Sequence, residues 1–133
     1  MSTGDRLLDI FQEETLERLD ELETGLLYLE KSAENSSSEL INSIFRDAHS
    51  VKAGSNLLKL HKIEELSHTL ENILELIRSS GLVPTELMIT ACLEAVDKLR
   101  SLTENILESN SRSIRLQKTM LEVSLQRALD GES

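Results

Sequence analysis

The stretch Phe45-Arg46-Asp47-Ala48-His49-Ser50-Val51-Lys52-Ala53-Gly54 decides how the rest of this 133-residue chain is arranged. His49 shares one helical edge with Phe45 and Lys52, so an imidazole lies one turn from an ammonium group, partly packed and partly hydrated. Such a pair is suited to meet a phosphate. His49 falls off the buried stripe of the same helix, which carries apolar or small residues at steps of three and four, the period of a helix with one buried face: Ile41, Ile44, Ala48, Val51 and Ser55.

Working outward, the same periodicity predicts four more helices separated by short polar turns. The serines of the turn Asn35-Ser36-Ser37-Ser38 suit a helix N-cap, and Pro84 suits the first turn of a helix. The predicted helices cover residues 5–31, 38–57, 62–79, 85–108 and 112–129. Because neighbours joined by tight turns must run up and down, we expect an all-α fold: an antiparallel up-down four-helix bundle with an additional C-terminal helix. The length fits one domain over residues 1–133.

Each of the other predicted helices carries one apolar face. Gly25 lies inside the first helix, where it costs roughly 1 kcal/mol relative to alanine. Either it lets a neighbouring helix approach closely, which we expect, or the helix is locally weak there. The face residues are Leu8, Phe11, Thr15, Leu19, Leu22, Leu26 and Leu29 in the first helix, Ile63, Leu66, Leu70, Ile73 and Ile77 in the third, Met88, Cys92, Ala95, Leu99, Leu102 and Ile106 in the fourth, and Ile114, Leu121, Leu125 and Ala128 in the fifth.

The charge balance argues against nucleic acid and anionic membrane as partners. The chain has 14 Lys and Arg against 24 Asp and Glu, a formal charge of -10, so a phosphate backbone would be repelled over most of the surface. Only 2% of the residues are aromatic, which leaves no stacking platform for single strands. The exception is the segment from Arg46 to Lys62, which holds four basic residues and one acidic residue. The acidic chain therefore turns basic around His49.

Cysteine usage and the apolar runs bear on the compartment. Cys92, the single cysteine, lies among apolar residues at helical spacing, which suggests a buried thiol in a reducing, intracellular environment. The first residues lack the apolar core of a signal peptide, and no apolar run approaches the roughly 18 residues that a membrane span needs. We therefore expect a cytoplasmic protein without membrane insertion.

A second run, Leu66-Ser67-His68-Thr69-Leu70-Glu71-Asn72-Ile73-Leu74, follows about one helical hairpin after the first and places a histidine three residues before a glutamate. Together the two runs resemble the histidine-containing phosphotransfer (HPt) domain. They are most similar to the N-terminal phosphotransfer domain of CheA-type chemotaxis histidine kinases, in which an A-H-S-[IV]-K-G run is followed by H-x-x-E-N. The resemblance spans roughly Leu8 to Leu107. Two positions depart from the pattern: Ala53 stands where a glycine usually follows the lysine, and a later glycine is replaced near Lys59.

The resemblance implies roles for four side chains. His49 would be the phosphoacceptor, Lys52 would stabilise the phosphate, Glu71 would orient His49 through the far ring nitrogen, and His68 would join the same network. A histidine can carry a phosphoryl group when one ring nitrogen is free to attack phosphorus while an acceptor holds the other. A helical wheel alone does not bring these groups together. It places Glu71 off the buried face of its helix and His68 nearly opposite that face, so all lie outside the deepest core.

The implied function is a phosphorelay intermediate of two-component signalling. The ATP-binding catalytic domain of a histidine kinase, in the same chain or another, would phosphorylate His49, and the group would pass to an aspartate of a response regulator receiver domain. The sequence has no G-x-x-x-x-G-K-[ST] loop and no glycine-rich nucleotide lid, so we expect neither enzyme activity nor a cofactor in this chain itself. A free-standing relay protein and a domain of a larger kinase both fit, and the ending Leu129–Ser133, which looks like the start of a linker, favours the second.

Other functions are weighed on the same residues. No two of the three histidines fall at i, i+3 or i, i+4, so we expect no metal site, and His61 at a helix start is expected to be a surface residue. A helical adaptor with incidental histidines remains the alternative, and it predicts that no kinase labels His49. A ligand-sensing bundle would need a buried polar cluster, whereas the apolar faces carry little beyond Thr15, Ser55 and Cys92.

Overall fold

The computed structural model describes residues 3–32 and 37–131, and within them the chain is helical without strands. The all-α prediction is therefore confirmed. The predicted turn residues Asn35 and Ser36, and the last two residues of the predicted linker, lie outside the described residues. The elements are α1 (Arg6–Lys31), α2 (Ser38–Leu57), α3 (His61–Ser80), α4 (Glu86–Glu104), a 3-10 helix (Ile106–Ser111) and α5 (Arg115–Leu129).

Side-chain caps fix where three of these helices begin. Asp5, Ser37 and Thr85 each accept hydrogen bonds from backbone N–H groups in the first turn of α1, α2 and α4, which satisfies donors that have no partner inside the helix. Pro84 lies just before the Thr85 cap, so α4 starts directly after the proline, within one residue of the predicted start at 85. Gly81 ends α3 in the left-handed conformation, with φ of 71°.

The four long helices form a closed ring of neighbours. α1 packs against α2 and α4, and α3 packs against the same two helices from the other side. Because the connections are short, successive helices run in opposite directions. α5 lies along α3 and α4 outside this ring. The predicted up-down four-helix bundle with an additional C-terminal helix is confirmed.

The core lies where the predicted apolar faces meet. Most of the predicted face residues are buried, while Leu8, Ile41, Leu125 and Ala128 pack only partly against the core. Each fully buried leucine or isoleucine side chain stabilises the fold by roughly 1.5–3 kcal/mol relative to exposure. The largest fully buried side chains are Leu19, Leu22, Leu26, Leu29, Ile44, Ile63, Leu66, Leu70, Ile73, Leu74, Met88 and Leu99.

Two glycines let α1 and α2 pack closely. A methyl group added at Gly25 would collide with the Ile44 side chain, which confirms the predicted close approach of a neighbouring helix. A methyl group added at Gly54 would come within 2.8 Å of Phe11 Cε1. Each helix of this pair therefore contributes one glycine to the contact between α1 and α2. This close contact determines which face of α2 is directed away from α1.

The turn between α2 and α3 places Lys59 in the left-handed region, with φ of 59°. The Leu60 N–H donates to the Ser55 carbonyl at 2.8 Å, and the Lys59 N–H donates to the Asn56 carbonyl at 3.2 Å. This pair of hydrogen bonds is the Schellman motif, whose left-handed position glycine usually occupies. The glycine that the sequence lacks near Lys59 is therefore one that the backbone would favour.

The predicted boundary between the fourth and fifth helices is wrong. α4 ends at residue 104 instead of 108, a 3-10 helix follows, and α5 begins at 115 instead of 112. The Asn105 side chain donates to a carbonyl one turn back in α4, which competes with continuation of the helix. The Asn110 side chain donates to the Lys59 carbonyl at 3.0 Å. The 3-10 helix is therefore tied to the α2–α3 turn.

Candidate functional site

His49, Lys52 and Glu71 meet between α2 and α3. The Nδ1 atom of His49 contacts Glu71 Oε2 in a hydrogen bond, and Lys52 Nζ donates to Glu71 Oε1 at 2.7 Å. The His49 side chain is 54% exposed and that of Glu71 only 9%. Both carboxylate oxygens of Glu71 are thus engaged, one by each of two side chains on the neighbouring helix.

Helix spacing on α2 and packing against α3 explain this arrangement. His49 and Lys52 are three residues apart, so they share one edge of α2. Glu71 projects from α3 toward that edge and is buried there. Glu71 lies off the apolar face of α3, as expected, yet it is buried, because the neighbouring helix α2 covers this side of α3 and a helical wheel does not include that helix.

The electrostatics keep Glu71 ionised. Burial alone raises the pKa of Glu71, but the hydrogen bonds from Lys52 and His49 outweigh burial and hold the pKa below the usual value of a glutamate. An ionised carboxylate only accepts hydrogen bonds, so the Nδ1–H of His49 is the donor.

This hydrogen bond determines which ring nitrogen of His49 can react. When Nδ1 of a neutral imidazole carries the proton, Nε2 carries the lone pair. Nε2 makes no hydrogen bond within residues 3–32 and 37–131, on a side chain that is more than half exposed. The site therefore presents an accessible ring nitrogen that can act as a nucleophile, and the Glu71 hydrogen bond to the other ring nitrogen fixes the tautomer.

A ring and a guanidinium group extend the site along α3. The Phe45 and His49 rings are stacked, with centroids 6.0 Å apart and planes 18° apart. The Arg78 guanidinium carbon lies 4.1 Å from the centre of the Phe45 ring, and Arg78 pairs with Glu75 at 2.6 Å. Helical spacing predicts Phe45 beside His49 but does not identify Arg78. The available signal was its position seven residues, or two turns, after Glu71 on the same helix.

The other two histidines stand apart from this cluster. His68 is exposed and makes no hydrogen bond or ion pair within the described residues, so its place in the His49 network stays a prediction. His61 is exposed at the first position of α3, which confirms that it is a surface residue. Ala53, which replaces the family glycine, is exposed next to Lys52 and adds a methyl group to the surface beside the site.

Asp47 is a buried carboxylate two residues before His49, on the side of α2 that faces α1. Its Oδ1 atom pairs with Arg18 at 3.5 Å, and Oδ2 is buried without a hydrogen-bond partner among the described residues. Burial and the nearby Glu21 carboxylate raise the pKa of Asp47 to about 6, although Arg18 acts in the opposite direction. The one acidic residue in the basic segment around His49 is thus directed into the protein.

Other reactive groups are inert or separate. Burial raises the pKa of the Cys92 thiol to about 12, which keeps the thiol protonated, and the predicted burial of this residue is confirmed. Within the described ranges, no three His, Cys, Asp or Glu side chains come together as metal ligands would. None of the helices described here has the length and apolar character of a membrane span.

The family comparison supports the resemblance carried by the two histidine runs. The model of the Hpt domain family matches residues 6–102. The chemotaxis protein CheA of Listeria monocytogenes is 30% identical over 117 residues, which are 88% of this chain and 19% of that protein. The chemotaxis protein CheA of Rhizobium meliloti is 35% identical over 95 residues, 71% of this chain and 12% of that protein. The chain therefore spans less than a fifth of the length of these relatives.

A solved structure shares the fold. It is the phosphorylated P1 domain of CheA3 in complex with CheY6 from R. sphaeroides, with a TM-score of 0.78. The alignment covers 92% of this chain and 97% of the solved chain at 23% sequence identity. This likeness shows that the two chains have the same helical-bundle architecture.

Proposed function

The chain belongs to the Hpt domain family, and on that premise we propose that it is a phosphorelay intermediate in which His49 accepts a phosphoryl group and passes it on. One observation carries the proposal: the His49 Nδ1 hydrogen bond to ionised Glu71 leaves Nε2 exposed and in possession of the lone pair. A group-transfer histidine needs this combination of a fixed tautomer and an accessible nucleophilic nitrogen.

In the accepting step, the Nε2 lone pair attacks the γ-phosphorus of ATP that a separate histidine-kinase catalytic domain holds. A phosphorus–nitrogen bond forms while the phosphorus–oxygen bond to ADP breaks. The ring becomes positively charged as it gains the phosphoryl group, and Glu71, still bound to the Nδ1 proton, stabilises that charge. Lys52, which is fixed by Glu71 one turn from His49, offsets the negative charge of the phosphoryl group.

In the donating step, a carboxylate oxygen of a response regulator aspartate attacks the phosphorus. The new phosphorus–oxygen bond forms as the phosphorus–nitrogen bond breaks, and the electron pair returns to Nε2. Because the same exposed nitrogen serves both steps, the kinase domain and the receiver domain must approach the same face of α2 in turn. The exposed edge of His49 supports this use.

The kinase that completes the reaction is proposed from the relatives. Proteins named CheA match over most of this chain while being several times longer, which supports a place for residues 1–133 as one phosphotransfer unit within a CheA-type kinase. An Hpt domain is a phosphotransfer module without its own ATP site, so the catalytic domain acts in cis or in trans. The proposed phosphoryl donor, ATP, and the proposed acceptor, a response regulator, support a cytoplasmic location for this chain.

The rival functions have less support from the buried polar groups. The Ser55, Ser67 and Thr103 hydroxyls donate to carbonyls of their own helices at 2.6–2.8 Å, so they do not form a polar cluster open to a ligand. An adaptor bundle would not require a buried carboxylate that holds an exposed histidine. Phosphoryl labelling of His49 by a kinase distinguishes the two functions, because an adaptor would take up no label.

The test is to incubate the full chain with labelled ATP and a CheA-type catalytic domain, and then to compare His49→Gln. We expect wild-type protein to take up a label that is acid-labile and base-stable, as a phosphorus–nitrogen bond is. His49→Gln should fold normally and remain unlabelled, because His49 lies off the core and its replacement opens no cavity. Equal labelling of His49→Gln would refute the assignment, and an acid-stable label would point to Ser50 instead.

A further inference from the structure

We propose that Phe45, braced by Arg78, is a positioning residue that sets the plane of the His49 ring and thereby the direction in which Nε2 presents its lone pair. The inference rests on the proposed function of His49, since orientation matters only if Nε2 reacts. It assigns a role to two side chains that lie outside the His49, Lys52 and Glu71 cluster.

One hydrogen bond does not fix the orientation of an imidazole. The Glu71 contact holds Nδ1 at one edge of the ring, but the ring can still tilt about that contact. The Phe45 ring, one helical turn earlier, lies 6.0 Å away and within 18° of parallel. This distance falls in the range of about 4.5–7 Å for interacting aromatic rings. The stacked ring therefore restrains the tilt that the hydrogen bond leaves open.

Phe45 is itself held in place from α3. The Arg78 guanidinium lies 4.1 Å from its ring centre, a cation–π contact. Arg78 in turn donates from Nε to Glu75 Oε2 at 2.9 Å and from a terminal nitrogen to the same oxygen at 2.6 Å. Glu71, Glu75 and Arg78 occupy successive turns of α3. One helix thus supplies both the hydrogen bond to the imidazole and the brace for the ring that stacks on it.

The expected consequence is kinetic. In-line attack requires the reacting atoms to meet in a near-attack geometry, and a displacement of about 1 Å can cost roughly a hundredfold in rate. Phe45→Leu keeps a similar apolar side chain but removes the planar ring, so we expect His49 phosphorylation to slow by about tenfold or more. Phe45→Tyr keeps the ring and should stay near the wild-type rate.

The experiment measures initial rates of His49 labelling by a CheA-type catalytic domain for the wild type, Phe45→Leu, Phe45→Tyr, Arg78→Ala and the Phe45→Leu/Arg78→Ala double variant. If Arg78 acts through Phe45, Arg78→Ala should slow labelling by itself and add nothing in the Phe45→Leu background. Phe11→Leu is the matched control, because it makes the same chemical change at a ring that packs against Gly54. It should lower the melting temperature without slowing labelling.

Nuclear magnetic resonance of the free protein gives a readout that a merely structural role would not move. In Phe45→Leu, the carbon-bound ring protons of His49 should shift as the stacked ring is lost, while the Nδ1–H signature of the Glu71 contact stays. The inference is overturned if Phe45→Leu labels His49 at the wild-type rate, if Phe11→Leu slows labelling equally, or if Arg78→Ala slows both backgrounds alike. Failure of the wild type to label at His49 refutes the proposed function instead, and unshifted His49 signals in Phe45→Leu would then still refute the stacking.

Discussion

At the scale of single residues, the proposed function depends on Glu71, which binds Nδ1 of the exposed His49 side chain. Glu71→Gln keeps the size of the side chain but removes the charge that holds the Nδ1 proton. We expect phosphorylation to slow by roughly 10–100-fold, by analogy with the loss of a carboxylate that orients a metal-binding histidine. The population of the Nδ1–H tautomer of His49 should also fall, as measured by long-range proton–nitrogen spectra. A tautomer population identical in the two proteins would show that another group fixes the ring.

Lys52 provides the second test at this scale. Its Nζ lies 2.7 Å from Glu71 Oε1, so its charge is held close to His49. A charge-assisted contact is worth roughly 1.5–3 kcal/mol, so Lys52→Ala should slow phosphoryl transfer by about 10–100-fold without abolishing it. Lys52→Arg, which keeps the charge, should lose less. Transfer rates unchanged at low salt in Lys52→Ala would limit Lys52 to a structural partner of Glu71.

The raised pKa of Asp47 predicts that the free energy of unfolding depends on pH. Its pKa is raised to about 6 in the folded protein, above the unfolded value, so the folded state binds more protons between about pH 4 and pH 6. Stability from this group is therefore present at low pH and is lost as pH rises through 6. Asp47→Asn should be more stable than wild type at pH 7 by up to about 3 kcal/mol, with a difference that shrinks toward pH 4. Denaturant unfolding across this range checks it, and a constant difference would contradict it.

The contacts of these residues could be predicted from the sequence to different extents. His49 and Lys52 could be paired from spacing on one helix, because i and i+3 are neighbours on any helix. The meeting of His49 with Glu71 depends on how α2 packs on α3, so only the family resemblance predicted it. The brace from Arg78 depends on the same packing and on a cation–π contact that leaves no spacing signature between two helices.

At the scale of elements, the turn between α2 and α3 holds a strained lysine. Lys59 has a φ of 59°, which costs a residue with a Cβ roughly 1–2 kcal/mol. Lys59→Gly should raise the free energy of unfolding by up to about 1 kcal/mol, because the greater freedom of glycine in the unfolded chain offsets part of the gain. Lys59→Ala is the control, since it removes the side chain but keeps the strain. A Lys59→Gly protein no more stable than Lys59→Ala would contradict this reading of the turn.

The ends of the helices were harder to predict from the sequence than the helices themselves. The starts at Ser37 and Thr85 follow from local capping chemistry, which the sequence displays directly. The end of α4 and the 3-10 helix after it depend partly on the Asn110 hydrogen bond to the Lys59 carbonyl, 51 residues away in the chain. Periodicity continues through Ile106, which is buried in the 3-10 helix as an apolar helix position would be, so the pattern could not show the change.

At the scale of the whole molecule, one pair of helices carries the candidate site and the other pair holds that pair in place. α2 and α3 build the site, while α1 and α4 complete the ring of helices that fixes them, with Arg100 of α4 paired to Asp20 and Glu23 of α1. Short polar turns and one apolar face per helix were enough to predict this architecture. The position of α5 along α3 and α4 does not follow from the sequence, because the short apolar face of α5 could pack against more than one side of the bundle.

The most direct test of the account is to find the atom that carries the phosphoryl group. Protein labelled with nitrogen-15 would be phosphorylated by a CheA-type catalytic domain with ATP, and phosphorus–nitrogen coupling would be measured at the ring nitrogens of His49. We predict coupling at Nε2, with Nδ1 still protonated and bonded to Glu71. Coupling at Nδ1, or phosphorus on any residue other than His49, would contradict the account.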